Sequence, residues 1–262
     1  MPIKDYKYIA EVAALAGIIM LESNAECYRV ENTVSHILET SQLPTAEAFA
    51  NTTGLFITLD GPELPQPISL VKRIKKRSTH LSRIHAVNQI SRDLTASCIS
   101  IEQAHQRLLG LTVDKTDYSL KWHHYSLLLL VLSFTILLGG NMMEVVLSFV
   151  AALLLLLTNY LKDWLKLNDF IFGIVATLIV AAVIPILIHM LGDSDISFDK
   201  IIIAVLMPLF PGTAFTNGFR DSFKGDYGAG LAKILEALII AVSLGVGVAL
   251  GLFLSKGIIA WV

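Results

Sequence analysis

Pro208-Leu209-Phe210-Pro211-Gly212-Thr213 interrupts an otherwise apolar stretch. Two prolines and a glycine remove backbone donors and break a helix. At membrane depth such a break is tolerated where the backbone is buried in protein or lines a cavity. The first amides of a half-helix attract carboxylates through the helix dipole. Gly212 and Thr213 are therefore candidates for holding an acidic ligand, with Thr213, Thr216 and Asn217 adding hydrogen-bonding groups. A packing kink is the bland alternative.

Glu236 is the one acid well inside an apolar stretch, and ionisable groups there usually face a pathway or a partner. Proton coupling or gating is the functional reading; snorkelling to the near interface is the structural one. Asp221 and Arg220 follow the broken stretch, where a helix-end salt bridge and substrate contact explain them equally. Asn141 and Glu144 sit at the opposite end, at an interface or an exit vestibule. The histidines lack metal-ligand spacing, and no phosphate loop, His-Glu-x-x-His or nucleophile elbow is present. Catalysis, metals and cofactors are not expected. Cys27 and Cys98 read as reduced structural thiols.

The elements that would position these groups follow from composition. Of 262 residues, 54% are hydrophobic and 16% charged, against about a quarter charged in soluble chains. Mean hydropathy is +0.65. Residues 1–122 carry 13 basic and 13 acidic side chains, leaving 7 and 9 for residues 123–262. A wholly soluble enzyme, a disordered chain and a nucleic-acid binder driven by bulk charge are excluded.

A helix needs about 20 apolar residues to cross a bilayer. Five stretches approach that length: about 125–140, 142–160, 170–191, 200–219 and 232–254. With the N-terminus inside, Lys121, Lys162, Lys166, Arg220, Lys224 and Lys233 lie on the cytoplasmic side. Lys200, Lys256 and the acidic loop Gly192-Asp193-Ser194-Asp195 then lie outside. This obeys the positive-inside rule and puts the C-terminus outside. Small residues four apart, at Ala237, Ala241, Gly245 and Ala249 with Gly247 and Gly251 beside them, and at Gly173, Thr177 and Ala181, predict close helix packing within the chain or with a partner such as a second copy.

Residues 1–122 read as a cytoplasmic α+β domain of two helices, a hairpin and two helices. Ile9–Leu21 carries Glu11 and is too short to span, so it reads as a buried helix, not a signal peptide. Ile9, Val12, Ala13, Ala16 and Met20 mark its packed face. Ser23 with Glu26, and Ser100 with Gln103, have capping-box spacing. Ala48–Leu59 and Ile68–Ile74 read as two strands joined at Asp60-Gly61-Pro62. The packed side of the following helix, His80–Ser97, is set by Leu81, Ile84, Val87, Asn88, Ser91 and Leu94. The basic run Lys72–Arg77 is a solvated strand end or a contact for anionic headgroups.

Two longer motifs carry a resemblance. Glu22-Ser23-Asn24-Ala25-Glu26-Cys27-Tyr28-Arg29-Val30-Glu31-Asn32-Thr33 resembles the sGAE-x-x-R-v-E-d-t signature of the threonine/serine exporter family. Pro211-Gly212-Thr213 through Asn217, Arg220-Asp221, Gly225-Asp226 and Gly230 to Lys233 is similar to that family's second motif. Asn24 stands where the family usually has glycine, and asparagine tolerates a left-handed backbone. The resemblance implies roles for Glu26, Arg29 and Glu31 as a joint between domain and pore. It implies roles at the pore for Pro211, Gly212, Asn217, Arg220, Asp221, Gly225 and Gly230.

The chain resembles the short, split form of the family, which pairs with a separate small membrane protein. Its relatives include a subunit of a bacterial succinate exporter. The implied function is a secondary-exporter subunit in the bacterial inner membrane. Its cargo would be a threonine- or serine-like amino acid or a succinate-like dicarboxylate. The rivals are a membrane-anchored hydrolase built on Cys27 or Ser23 beside Glu26, and a sensor or scaffold without transport.

Overall fold

The computed structural model describes residues 3–113, 120–192 and 195–261. Asp193 and Ser194 of the acidic loop, and the Lys121 side chain, lie outside the described residues. The chain divides into two compact units. One comprises residues 1–117 and 213–235; the other comprises 118–212 and 236–262. A single cut near residue 122 does not anticipate the return of 213–235 to the first unit.

In the first unit, α1 (Ile3–Glu22) and α2 (Cys27–Glu39) precede β1 (Thr45–Asn51), β2 (Gly54–Asp60) and β3 (Ile68–Arg73). Next come α3 (Leu81–Thr95) and α4 (Ile101–Val113). The predicted face of α1, from Ile9 to Met20, is buried. Around it cluster Val34, Ile37 and Leu38 of α2, Leu55, Ile57 and Leu59 of β2, Ile84 and Val87 of α3, and Leu108 of α4.

The expected hairpin is a three-stranded antiparallel meander in the order β1-β2-β3. Ala48–Leu59, expected as one strand, itself turns at Thr52-Thr53. The Asn51 Oδ1 accepts the Thr53 N–H at 2.9 Å, closing an Asx turn. Two threonines at the turn made the run look continuously strand-like.

Two helix details also differ from expectation. The Ser23–Glu26 capping box is absent. Glu26 occupies the N-cap of α2 without a side-chain cap bond, and its carboxylate is engaged by arginines. The Ser100–Gln103 box is present, with Ser100 N–H to Gln103 at 3.0 Å and Gln103 N–H to Ser100 at 3.3 Å. Leu81, expected on the packed side of α3, is exposed; Ile90 is buried instead.

The second unit holds α5 (Leu120–Leu137), α6 (Met142–Leu165), α7 (Asp169–Leu191) and α8 (Phe198–Leu206). α6 packs on α5, α7 and α8 around Val131, Leu147, Leu155, Val180 and Ile201. α9 (Gly212–Phe223) and α10 (Tyr227–Ile259) each have residues in both units. Among the described residues, α6, α7 and α10 are long and apolar enough to cross a membrane. The protein is an α-helical membrane protein.

The stretch 200–219, expected as one span with a break, is two helices separated at Met207–Pro211. α8 alone has 9 residues, about 14 Å at 1.5 Å per residue. That is under half a bilayer core.

The small-residue seam forms in a different register on α10. Gly173, Thr177 and Ala181 of α7 do pack, but Ser243 and Leu244 face Gly173, and Gly247 and Gly251 face Thr177 and Ala181. A Cβ on Gly251 would stand 2.6 Å from the Leu178 carbonyl. Gly245 has open space around it, and Ala249 is exposed. Thr177 Oγ1 donates to the Leu244 carbonyl at 3.1 Å.

Glu144, expected at an interface or an exit vestibule, forms a capping box with Asn141 at the start of α6 and is fully buried.

Candidate functional site

The turn between α1 and α2 needs one left-handed residue. Asn24 supplies it, with φ of 63°, and its side chain donates to Thr79 Oγ1 at 3.3 Å. The carbonyl of Asn24 accepts Asn217 Nδ2 at 2.9 Å. That bond begins a contact between the two motifs, which lie about 190 residues apart in the chain and side by side in the first unit.

Two carboxylates organise this contact. Glu26 Oε1 accepts Arg220 Nη1 at 2.8 Å, and its Oε2 pairs with Arg29 Nε at 3.3 Å. Asp221 accepts the Cys27 N–H at 3.1 Å through one oxygen and Lys233 Nζ at 2.8 Å through the other. Lys233 also donates to the Ala25 carbonyl at 3.1 Å. Asp221 and Lys233 are both buried. Removing two ions from water costs several kcal/mol each, so the pair persists only because further hydrogen bonds satisfy both groups.

Glycines bring the α9 and α10 backbones close enough for this. A Cβ on Gly230 would stand 2.7 Å from the Gly218 carbonyl. Gly225, at φ of 94°, turns the chain between the two helices.

The electrostatics describe a clamp, not a catalyst. Burial alone would raise the Glu26 carboxyl. A backbone hydrogen bond, the Arg220 hydrogen bond and the nearby guanidinium charges outweigh it and hold the group below its ordinary value. A carboxylate held down in this way is a poor general base near neutrality. Burial pushes the Cys27 thiol up to about 12, and the Asp221 charge adds to the shift against the opposing Lys233. Of the groups the hydrolase rival would use, Glu26 and Cys27 are not activated.

Burial holds the Cys27 thiol protonated near neutral pH, whereas Cys98 is exposed. Brief alkylation of the folded protein with iodoacetamide is expected to label Cys98 and spare Cys27, as read by peptide mass spectrometry; denaturant should release both. Equal labelling in the folded state would contradict the buried clamp. A pKa raised on folding also means that this thiol's contribution to stability is complete below about pH 8.5. That contribution declines as pH rises towards 12.

The other expected residues lie elsewhere. Glu31 accepts the Ala50 N–H at 2.8 Å, tying α2 to the edge strand β1, and burial raises its carboxyl against that hydrogen bond. Gly212 opens α9, and Thr213 and Thr216 are exposed. Glu236 is exposed on α10. Lys233 was expected as a marker of sidedness and as the end of the second motif, not as a partner of Asp221.

A second feature lies wholly within the second unit. A cavity of about 540 Å³ is lined by Ser126, Asn159, Lys162, Asp169 and Phe172, with Pro208, Leu209 and Pro211 of the helix break. Lys162 Nζ meets Asp169 Oδ1 at 2.7 Å and lies 4.7 Å from the centre of the Phe172 ring. Among the described residues no group of three His, Cys, Asp or Glu could hold a metal.

The ThrE family model, described as "Putative threonine/serine exporter", matches residues 11–255. The chain belongs to the threonine/serine exporter family. Within it, the "Probable threonine/serine exporter" of Mycobacterium tuberculosis (strain ATCC 25618 / H37Rv) is 21% identical over 238 residues. That alignment covers 89% of this chain and 44% of the relative. The chain thus spans less than half the length of the curated relative it matches. No solved structure matches it. For this threonine/serine exporter family chain, the family match runs through both units, and the clamp joins the two motifs that carried the resemblance.

Proposed function

We propose that the chain is a subunit of a secondary exporter in the bacterial inner membrane. It moves a small carboxylate-bearing metabolite outward, either a threonine- or serine-like amino acid or a succinate-like dicarboxylate. The observation that carries this reading is the cavity at the Pro208–Pro211 break, an apolar wall carrying a few polar side chains, in the unit that contains α6 and α7. Its volume falls in the range of about 300–1,000 Å³ usual for small-molecule sites. Family membership supports export as the activity.

In this reading the chain crosses five times. α6, α7 and α10 cross outright, α5 crosses as a shorter helix, and α8 with the start of α9 forms a broken crossing. The N-terminus is cytoplasmic and the C-terminus is outside. A separate small membrane protein assembles with this chain and supplies further spans. The Glu26–Arg220 and Asp221–Lys233 clamp holds the cytoplasmic domain to the start of α10, and Glu236 is the acid through which proton coupling runs.

The test is efflux from cells expressing the chain with and without such a small partner, loaded with threonine-containing dipeptides or with pyruvate. Export of threonine, serine or succinate above the vector control is expected. No change for any amino acid or dicarboxylate would overturn the exporter reading.

A further inference from the structure

We infer that the outward face of the three-stranded sheet docks on an anionic bilayer surface. Phe49, Phe56 and Val71 enter the headgroup region, and Arg73, Lys75 and Lys76 meet lipid phosphates. The inference goes beyond the exporter reading and is independent of any cargo.

Strand register builds this face row by row. Phe49 of β1 stands opposite Phe56 of β2, which stands opposite Val71 of β3. The two rings lie 6.1 Å apart between centroids. The three residues are 55%, 41% and 68% exposed. Side chains alternate between the faces of a sheet, and the other face of β2 buries Leu55, Ile57 and Leu59 in the core beside α1. The apolar row is therefore no part of that core. Contiguous exposed apolar surface marks contact with a protein, a ligand or a membrane.

The flanking rows choose among these. On one side lie Asn51, Gly54 and Arg73, and the chain runs on into exposed Lys75 and Lys76. The Ile74 N–H donates to the Thr53 carbonyl at 2.9 Å, which keeps this basic end beside the β1–β2 turn. Among the described residues, Arg73, Lys75 and Lys76 make no ion pair. On the other side lie Glu47, Thr58 and Ser69. Cations thus border the apolar row at one end, in excess over the single acid at the other.

A second copy would bring that excess to both sides of the contact. An anionic bilayer attracts it, and apolar side chains beside basic ones suit the boundary between headgroups and acyl chains. Such a surface is also close at hand. α10 begins in the first unit and is long and apolar enough to cross a membrane, so docking is intramolecular and a modest patch suffices. Paired aromatics with cations also suit single-stranded nucleic acid. The 13 basic and 13 acidic side chains of residues 1–122 supply no net positive field for it.

The test uses full-length protein in nanodiscs of phosphatidylcholine, alone or mixed with phosphatidylglycerol, each containing a lipid with a nitroxide at its headgroup. A bimane label at Ser69→Cys, in a Cys98→Ser background, reports on the outward face next to Val71. The same label on native Cys98, exposed beyond the end of α3, is the control. The Ser69→Cys label should be quenched severalfold more with phosphatidylglycerol present, and molar salt should abolish the difference. The Cys98 label should respond equally in both lipids.

Lys75→Gln with Lys76→Gln should lower the ratio of docked to free domain roughly thirtyfold, as about 1 kcal/mol per basic group implies. Phe49→Ser with Phe56→Ser should also reduce the lipid-dependent quenching. All four residues are exposed, so thermal unfolding should stay near that of the parent. Equal quenching in the two lipids, or quenching that survives both double variants, would overturn the assignment. So would binding of oligouridylate that needs Phe49 and Phe56 without lipid-dependent quenching, which would give the face to nucleic acid. Crosslinking of two chains through Ser69→Cys in both lipids, again without that quenching, would give it to a second copy.

Discussion

Replacing Asp221 with alanine is expected to destabilise the first unit by about 3–5 kcal/mol, the usual cost of breaking a buried ion pair by removing one partner. The change strands Lys233, which is 2% exposed and whose remaining contact is the Ala25 carbonyl. It also leaves the Cys27 N–H without its acceptor. Thermal unfolding of the detergent-solubilised protein should fall by roughly 10 °C, taking about 2–4 °C per kcal/mol. Replacing both members, as Asp221→Leu with Lys233→Met, should recover most of the loss, because apolar pairs of similar volume often match a buried ion pair. A single variant as stable as the parent would show that the clamp does not hold the unit together.

Glu144→Ala should be the second severe change, and it acts in the other unit. The Glu144 carboxylate accepts the Asn141 N–H at 2.7 Å, the Ser197 N–H at 2.8 Å and Lys200 Nζ at 3.1 Å. Lys200 also donates to the Gly139 carbonyl at 3.0 Å. One side chain therefore ties the α5–α6 turn to the start of α8, and alanine removes the acceptor for all of them. Leaving buried donors unpaired costs about 1–3 kcal/mol each, so a loss of roughly 3 kcal/mol is expected. Glu144→Gln, which retains an oxygen acceptor but not the charge, should lose less. Differential scanning of the two variants checks the ranking; equal losses would mean that the charge, not the backbone bonds, fixes the turn.

Apolar periodicity and length made much of the fold readable. The buried face of α1 and the positions of α6 and α7 follow from where apolar residues recur. Local signals that compete with periodicity were less informative. Thr52-Thr53 concealed a turn inside a strand-like run. Ser23 and Glu26 have capping-box spacing, yet Glu26 is drawn into a long-range pair with Arg220.

The site divides along the same line. Glu26, Arg29, Asn217, Arg220 and Asp221 were legible through the motifs, and the structure brings them together. Lys233 and the Lys162–Asp169 pair were not legible as partners. Asp221 and Lys233 meet across the α9–α10 turn, and Lys162 and Asp169 meet across the α6–α7 turn. No helical or strand period connects residues across a turn. The register of the α7–α10 seam was missed because α10 carries small residues on several faces, and only packing selects among them.

The composition of the first unit from two separated segments has a consequence for synthesis on the ribosome. Ala229 belongs to the hydrophobic cluster built by residues 6–108, and the Asn24 and Ala25 carbonyls and the Cys27 N–H find partners on Asn217, Lys233 and Asp221. About 100 residues separate the segments. At about 5–20 residues per second, the nascent domain spends several seconds or more with that surface uncovered while α5 to α8 emerge. The domain can therefore fold early but close only late. The chaperone demand of this protein should depend on how fast its middle helices are translated and inserted.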